Sequence, residues 1–399
     1  MRVLMIAPTS FFSDYGGHIR ILEEMRALGE LGVEVAVVTY YMGKDVPGID
    51  IRRTAPLPWH TDYEVGSSRH KIAFDAYLAG KTLKEVLRYR PDVIHGHMHE
   101  GALIGGVMAR ATGVPLVFDY QGSLTAEMVD HHFLDPNGWV YPWAYRLESM
   151  ITRRLPQAIL ASSGQAVALL RDQFDVEAER IHALPDCVDA GQFDRSRFPY
   201  SPAEHPLRAR LNISPDTTLI GYLGLLTDYQ GIPHIIESAV ELRRRGEDVH
   251  FLIMGYPNVE HYQTVARLRG VDDIVSFTGR IPFAQASYFL AACDVAVAPK
   301  MSSSEGSGKL LNYMAMQLPI VAYDTVVNRE YLGELGTYAP AGDVGGFIEA
   351  IVILVNSPQL REDLGRQLRQ RVVENYSWRA AAENIFRIYK SIDKENNSI

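Results

Sequence analysis

The sequence predicts an α/β protein built from two doubly wound domains in series, and three observations carry that prediction. Short apolar runs alternate with stretches of helical periodicity along most of the chain. The runs are continuously apolar rather than alternating, as expected of parallel strands covered on both faces. The strand–loop–helix order then starts afresh after Asn212-Ile-Ser-Pro-Asp216.

The first round opens with a strand over Arg2–Pro8. A loop holding Gly16-Gly17 follows, then a helix whose Ile21, Leu22, Met25 and Leu28 share a face, and a strand over Val33–Tyr40. Ile72, Ala76, Ala79, Leu83 and Val86 mark another helix. Further strands are expected at Val93–His97, Pro115–Tyr120, Ala158–Ser163 and Ile181–Leu184, with a helix near Gly101–Ala111. The second round has strands at Leu219–Gly224, Val249–Gly255, Ile274–Thr278, Val295–Pro299 and Pro319–Asp324. Asp194–Pro206 is polar and proline-rich and reads as a linker. The expected domains are therefore 1–195, a linker at 196–214, and 215–375. A helix within 376–399 follows, carrying Trp378, Ile385 and Ile388 on one side and packing back on the first domain.

The chain has 399 residues, 47% of them hydrophobic and 22% charged, which excludes wholesale disorder. The 39 Lys+Arg against 48 Asp+Glu give a formal charge of −9, an argument against general nucleic-acid binding. Cys187 and Cys293 make no disulfide framework and sit in no metal-ligand pattern. Gly101–Phe118 is the longest nearly apolar stretch, and Arg110 and Pro115 interrupt it. A membrane span needs about 18 apolar residues. The N-terminus does not read as a signal peptide. The expected location is cytoplasmic, with peripheral contact on the inner face of a membrane open through the aromatic segment Trp139-Val-Tyr-Pro-Trp-Ala-Tyr145 and Arg153-Arg154. The preferred reading of that segment is core or lid.

Open α/β sheets bind ligands beyond the carboxyl ends of their strands. The richest such loop runs from Ala298 through Lys300 and Glu305-Gly-Ser-Gly-Lys309 into a helix carrying Leu310, Leu311 and Met314. Its glycines allow close backbone approach, and free N–H groups at the helix start favour an anion. Glu305 suits sugar hydroxyls. The plainer reading is a capped helix on a surface loop. Gly16-Gly17-His-Ile-Arg20 reads either as a tight turn or as a phosphate approach, and it lacks the G-x-G-x-x-G dinucleotide fingerprint. His95-Gly-His-Met-His-Glu100 could suggest metal, but the chain turns into a helix near Glu100 and no further ligand pair backs it. His97, at a strand end, is the better candidate for a hydrogen bond to substrate, while His95 reads equally well as structural. In Phe118-Asp-Tyr-Gln-Gly-Ser123, Asp119 and Gln121 are candidates for reading an acceptor, or Asp119 a cap.

Taken in order, these segments resemble the retaining GT-B glycosyltransferases of family 4. The landmarks are Gly16-Gly17, Asp92-Val-Ile-His-Gly-His97, Leu184-Pro-Asp-Cys-Val-Asp189, Ile220-Gly-Tyr-Leu-Gly224 and Ser276-Phe-Thr-Gly279. Asp294–Pro299, Glu305-Gly-Ser-Gly308, Tyr313-Met-Ala315, Leu318–Ala322 and Tyr376-Ser-Trp378 complete them. The resemblance implies two Rossmann-like domains facing across a cleft that closes on the substrates. The second domain would hold a nucleotide-sugar donor, and the first an acceptor (a glycan, a lipid-linked molecule or a small molecule). It implies no metal and no cofactor, the donor being a co-substrate. It places Gly16 and Gly17 at the diphosphate, gives His97 and Glu305 catalytic contacts to the donor sugar, and gives Gly306, Ser307 and Gly308 contacts to sugar and phosphate. The transition state is oxocarbenium-like, with retention of configuration.

The sequence departs from the family at the diphosphate. The usual Arg and Lys read Leu225 and Gln230, and the usual ribose-binding glutamate falls on Asn312 or, counted without a gap, on Tyr313. A buried diphosphate without cations is costly, so Lys309, Lys300 and Arg280 are the expected replacements. The competing expectations are a non-catalytic GT-B-like subunit that binds a partner glycosyltransferase or glycan, and a GT-B epimerase or phosphorylase.

Overall fold

In a computed structural model the described residues are 1–12, 16–57, 71–130, 133–300 and 307–396. They form two compact units, Met1–Asp186 with Trp378–Ile399, and Cys187–Ser377. In the first unit the elements run β1 (Arg2–Ala7), α1 (Gly16–Glu30), β2 (Glu34–Thr39), β3 (Asp50–Arg53), α2 (Lys71–Tyr89), β4 (Val93–His97) and α3 (Met98–Thr112). Then come β5 (Leu116–Tyr120), α4 (Leu124–Asp130), α5 (Tyr141–Arg154), β6 (Ala158–Ala161), α6 (Gly164–Asp172) and β7 (Ile181–Ala183).

The second unit holds α7 (Pro206–Arg210), β8 (Thr218–Leu223), α8 (Ile232–Arg244), β9 (Val249–Met254), α9 (Val259–Leu268), β10 (Val275–Gly279) and α10 (Ala286–Ala291). It continues with β11 (Val295–Ala298), α11 (Gly308–Ala315), β12 (Ile320–Asp324), α12 (Val326–Leu332), β13 (Thr337–Pro340), α13 (Val344–Val355) and α14 (Pro358–Asn375). The last helix, α15 (Trp378–Asn396), returns to the first unit and packs on α1.

Both sheets are parallel, in the orders β3-β2-β1-β4-β5-β6-β7 and β10-β9-β8-β11-β12-β13. The apolar runs read as buried strands are buried strands, with Val3 to Ile6 and Val295 to Ala298 fully covered. Strands β3 and β13 are not expected from the apolar pattern. Both lie at a sheet edge, where one row of backbone groups is unpaired and the demand for continuous apolarity is weakest. Residues 196–214 belong to the second unit and form no free linker. Their polar character is used inward: Arg208 is buried and bonds the Asp294 carboxylate and the Thr217 carbonyl (2.7 Å), while Arg195 bonds the Cys293 carbonyl at 2.7 Å.

The helix marked by Ile72, Ala76, Ala79, Leu83 and Val86 forms as α2, but most of that stripe faces outward. Its buried face is Phe74, Leu78, Thr82, Glu85, Val86 and Tyr89, while Ile72 is 84% exposed. No helix among the described residues is long and apolar enough to cross a membrane.

Several histidines are buried at the cost of their charged form. Burial pushes His250 and His205 down to about 4, and lowers His95, His182 and His234. The unfolded chain takes up these protons near pH 6.5 and the folded chain does so only at lower pH, so stability falls as pH drops from about 6.5 toward 4. Each such histidine contributes a slope of at most about 1.4 kcal/mol per pH unit. Urea unfolding across this range should show the fall, and His250→Gln, which cannot titrate, should make it shallower.

Candidate functional site

In the first unit the alternation of strand side chains places His95 and His97 on the face of β4 that meets α1 and α15. Their rings stack at 4.5 Å. His99 lies beyond the end of the strand, in α3, where it packs edge-on against Phe118 and Tyr120 and sits 3.4 Å from Glu148. His97 pairs in register with Asp119 on β5, and its Nδ1 lies 3.0 Å from the Asp119 carboxylate. The turn out of β4 is tight. Gly96 has no room for a Cβ, which would meet the backbone of Gly101 and Ala102 at 2.7 Å, and Met98 takes a left-handed φ of 57°.

Arg20 organises this site. Its guanidinium bonds both Asp119 oxygens (2.8 and 3.1 Å), Asp186 (2.9 Å) and the Leu184 carbonyl (3.2 Å), and lies 3.2 Å from Glu24. Burial by itself raises the Asp119 carboxyl, but Arg20 and His97 outweigh it and hold the group well below the usual carboxylate range. An ionised Asp119 only accepts, so His97 Nδ1 carries the proton. His97 Nε2, on the other side of the ring, has no hydrogen-bond partner among the described residues.

Burial and the nearby Asp119 push Glu24 well above its ordinary value, and burial with His97 pushes His95 well below. His95 Nδ1 pairs with the Tyr389 hydroxyl at 2.6 Å, tying α15 to the sheet. Ligand atoms of Glu24, His95, His97 and Asp119 lie within 4.8 Å of one another, close enough for a cation. The cation beside the two carboxylates here is the guanidinium of Arg20. Gln121 donates to Asp119 at 2.7 Å and backs onto Gly17, whose added Cβ would sit 3.5 Å from Gln121 Oε1. Gly16 opens α1. Asp119 is therefore fully buried, with its oxygens bonded to Arg20, His97 and Gln121.

In the second unit the site residues lie beyond the carboxyl ends of β8, β9, β10 and β11. Gly224 has φ +155° and Gly255 +159°, and a Cβ on Gly255 would fall 1.7 Å from the Gly224 carbonyl oxygen. Only glycine permits two strand exits to approach this closely. Gly231 (φ +81°) similarly backs onto Pro299. Glu305 and Gly306 lie outside the described residues. Ser307 precedes α11 with its side chain buried and Oγ without a hydrogen-bond partner, and Gly308 opens the helix.

Lys309 reaches back from α11 to β8. Its ammonium donates to Gln230 Oε1 at 2.7 Å and to the Tyr222 hydroxyl at 3.1 Å, and lies 4.4 Å from the centre of the Tyr222 ring. Lys309 thus brings positive charge to Gln230, where the family resemblance places a lysine. Lys300 follows β11 and is buried. Arg280 lies at the end of β10, two strands from β8, its exposed guanidinium 4.8 Å from the Tyr256 ring centre. Tyr313 is fully buried and its hydroxyl accepts the Leu223 N–H at 2.7 Å. Asn312 is only half-buried beside it.

Sequence reasoning did not single out Arg20, Glu24, Asp186, Tyr389 or Tyr222 as members of these sites. A signal existed for the first two: Arg20 and Glu24 lie four apart on the helix face that also carries Ile21 and Met25, and two charges at core positions call for partners. Tyr389 and Asp186 are distant in sequence and carried none.

With this geometry in place, comparison with known proteins is direct. Residues 16–187 match the model of the glycosyl transferase 4-like domain, and residues 217–357 that of the glycosyl transferases group 1. The chain belongs to the GT-B glycosyltransferases of family 4. It is 27% identical over 293 residues to alpha-D-kanosaminyltransferase of Streptomyces kanamyceticus, covering 72% of this chain and 73% of that one. To the phosphatidyl-myo-inositol mannosyltransferase of Mycobacterium leprae it is 22% identical, covering 100% and 99%. Among solved structures it resembles the sucrose-phosphate synthase of Thermosynechococcus elongatus, with TM-score 0.83 and 17% identity over 98% of each chain. Anabaena HepE in complex with UDP matches with TM-score 0.77 and 13% identity over 98% of this chain and 100% of that one.

Removing Arg20 would leave Asp119, Asp186 and Glu24 without their cation. Arg20→Met should cost about 3–5 kcal/mol in urea denaturation. Arg20→Lys, which restores charge without the planar fork, should recover only part of that. A wild-type midpoint in Arg20→Met would show that the clamp does not hold this unit together.

Proposed function

We propose that this glycosyltransferase moves a sugar from a nucleoside-diphosphate sugar to an acceptor hydroxyl, with retention of configuration and without a metal. The observation that carries the reading is the Lys309 ammonium held on Gln230 and Tyr222 against Gly224. In this reading Lys309 and the amides opening α11 neutralise the leaving diphosphate, in place of the cations missing at Leu225 and Gln230. Lys300 adds positive charge beyond β11, and Arg280 serves a more distant part of the donor. Asn312 contacts the ribose by hydrogen bonding where a carboxylate is usual.

His97 Nε2 accepts from a hydroxyl of the donor sugar. Asp119 and Arg20 fix the ring and its tautomer, and so act as positioning residues. Glu305 contacts the sugar hydroxyls, and Gln121, beside Gly17, meets the acceptor side. The relatives' names, a kanosaminyltransferase and a phosphatidyl-myo-inositol mannosyltransferase, do not agree on one class of substrate, so the acceptor class is left as a glycan, a lipid-linked molecule or a small molecule.

The test is a thermal-shift screen with UDP, GDP, ADP and their hexose derivatives, followed by donor hydrolysis. At about 100 times its Kd a nucleotide adds about 2.7 kcal/mol and raises Tm by several degrees. Lys309→Ala should abolish that shift, measured against the unliganded Tm of the variant itself. A panel in which no nucleotide raises the Tm of the wild type would favour the non-catalytic subunit instead.

A further inference from the structure

The apolar residues left on the surface are not scattered. Among the described residues sixteen large hydrophobic side chains are exposed, and ten of them lie in one region of the first unit. They are Ile72, Tyr77, Leu83 and Leu87 on α2, Val107 on α3, Trp143 and Leu147 on α5, and Phe133, Trp139 and Val140 in the segment leading into α5. α3 packs against both α2 and α5, so these helices lie side by side in one layer. Ile72, Ala76, Leu83 and Leu87 are spaced four, seven and four apart, an unbroken outward stripe on a helix whose other face is already buried. Trp139 and Trp143 are 83% and 64% exposed. Core packing, one of the two readings for this aromatic segment, is therefore not what these two rings do.

The exposed charges carried by these three helices are of one sign. Every exposed charged residue on α2, α3 and α5 is basic: Lys84, Arg88, Arg110, Arg146, Arg153 and Arg154. The acidic residues of these helices are drawn inward. Asp75 accepts from the Tyr40 hydroxyl, Glu85 pairs with Arg52 and Lys81, Glu100 with Lys71, and Glu148 accepts from the start of α4. Outside these helices, exposed Asp135 lies in the segment before α5, and exposed Asp175 pairs with Arg153 at 2.8 Å. A chain of net charge −9 thus presents one apolar surface edged by cations. Exposed tryptophan, leucine and isoleucine with arginine beside them suit the boundary between headgroups and acyl chains, and the cations suit anionic lipid.

We propose that the outer face of α2, α3 and α5, with Phe133, Trp139 and Val140, docks on an anionic lipid bilayer. This is an attachment to the membrane surface, and it does not depend on the donor or the acceptor of the transfer reaction.

The full chain would be sedimented with phosphatidylglycerol-containing vesicles and with pure phosphatidylcholine vesicles, while tryptophan fluorescence is followed. The expected result is binding to the anionic vesicles, weakened by salt, with a blue shift. The double variant Trp139→Ala/Trp143→Ala should lose the shift and bind about tenfold or more weakly. Lys84→Glu/Arg88→Glu should weaken binding comparably. All four side chains are exposed, so circular dichroism and Tm should stay at wild-type values. Three results would overturn the proposal: no binding to either vesicle, equal binding to both, or a dimer of the free protein that the tryptophan double variant abolishes, which would make this face a contact between two copies.

Discussion

A buried guanidinium is the constraint on which the first unit's site depends. Arg20 satisfies Asp119 and Asp186 and stands beside Glu24, so groups from α1, β5 and the segment after β7 share one cation. Taking so many charges out of water is tolerable only because the geometry is nearly complete. The return is orientation. Asp119 stays ionised, His97 Nδ1 faces it, and Nε2 is left without a hydrogen-bond partner among the described residues. The site is therefore built from below, by residues that need touch no substrate.

The second unit solves a related problem with fewer charges. Paired glycines bring the exits of β8 and β9 into backbone contact, and Tyr313 fixes α11 to β8 through the Leu223 amide. That docking sets where Lys309 can reach. A long, flexible side chain is suited to such relocation, because the ammonium needs only to arrive near the right point, not at the right sequence position. Gln230 and Tyr222 give it a fixed resting place.

The outward face of α2 shows how a helix with two apolar stripes is read. Periodicity reveals that a stripe exists and cannot say which stripe the sheet covers. Ile72, Ala76 and Leu83 look as core-like in sequence as Phe74 and Leu78. Packing against the sheet selects the second set, because Phe74, Leu78, Val86 and Tyr89 also share their side of the helix with Thr82 and Glu85, both of which find cover there. The first set is left outside with the exposed tryptophans before and within α5.

The sequence by itself determined the two parallel sheets, because continuous apolar strands between amphipathic helices have few other ways to hide both faces. It also determined which strand ends carry polar and glycine-rich loops, and with them His97, Gly17 and the Ser307–Lys309 segment. Only the tertiary structure decided which polar residues share a charge. Arg20 with Asp119 and Asp186, His95 with Tyr389, and Lys309 with Gln230 are separated by many tens of residues or more. Local periodicity holds no record of such pairs. An ion pair depends on distance in space and on the exclusion of water, and both appear only when the sheet brings the partners together.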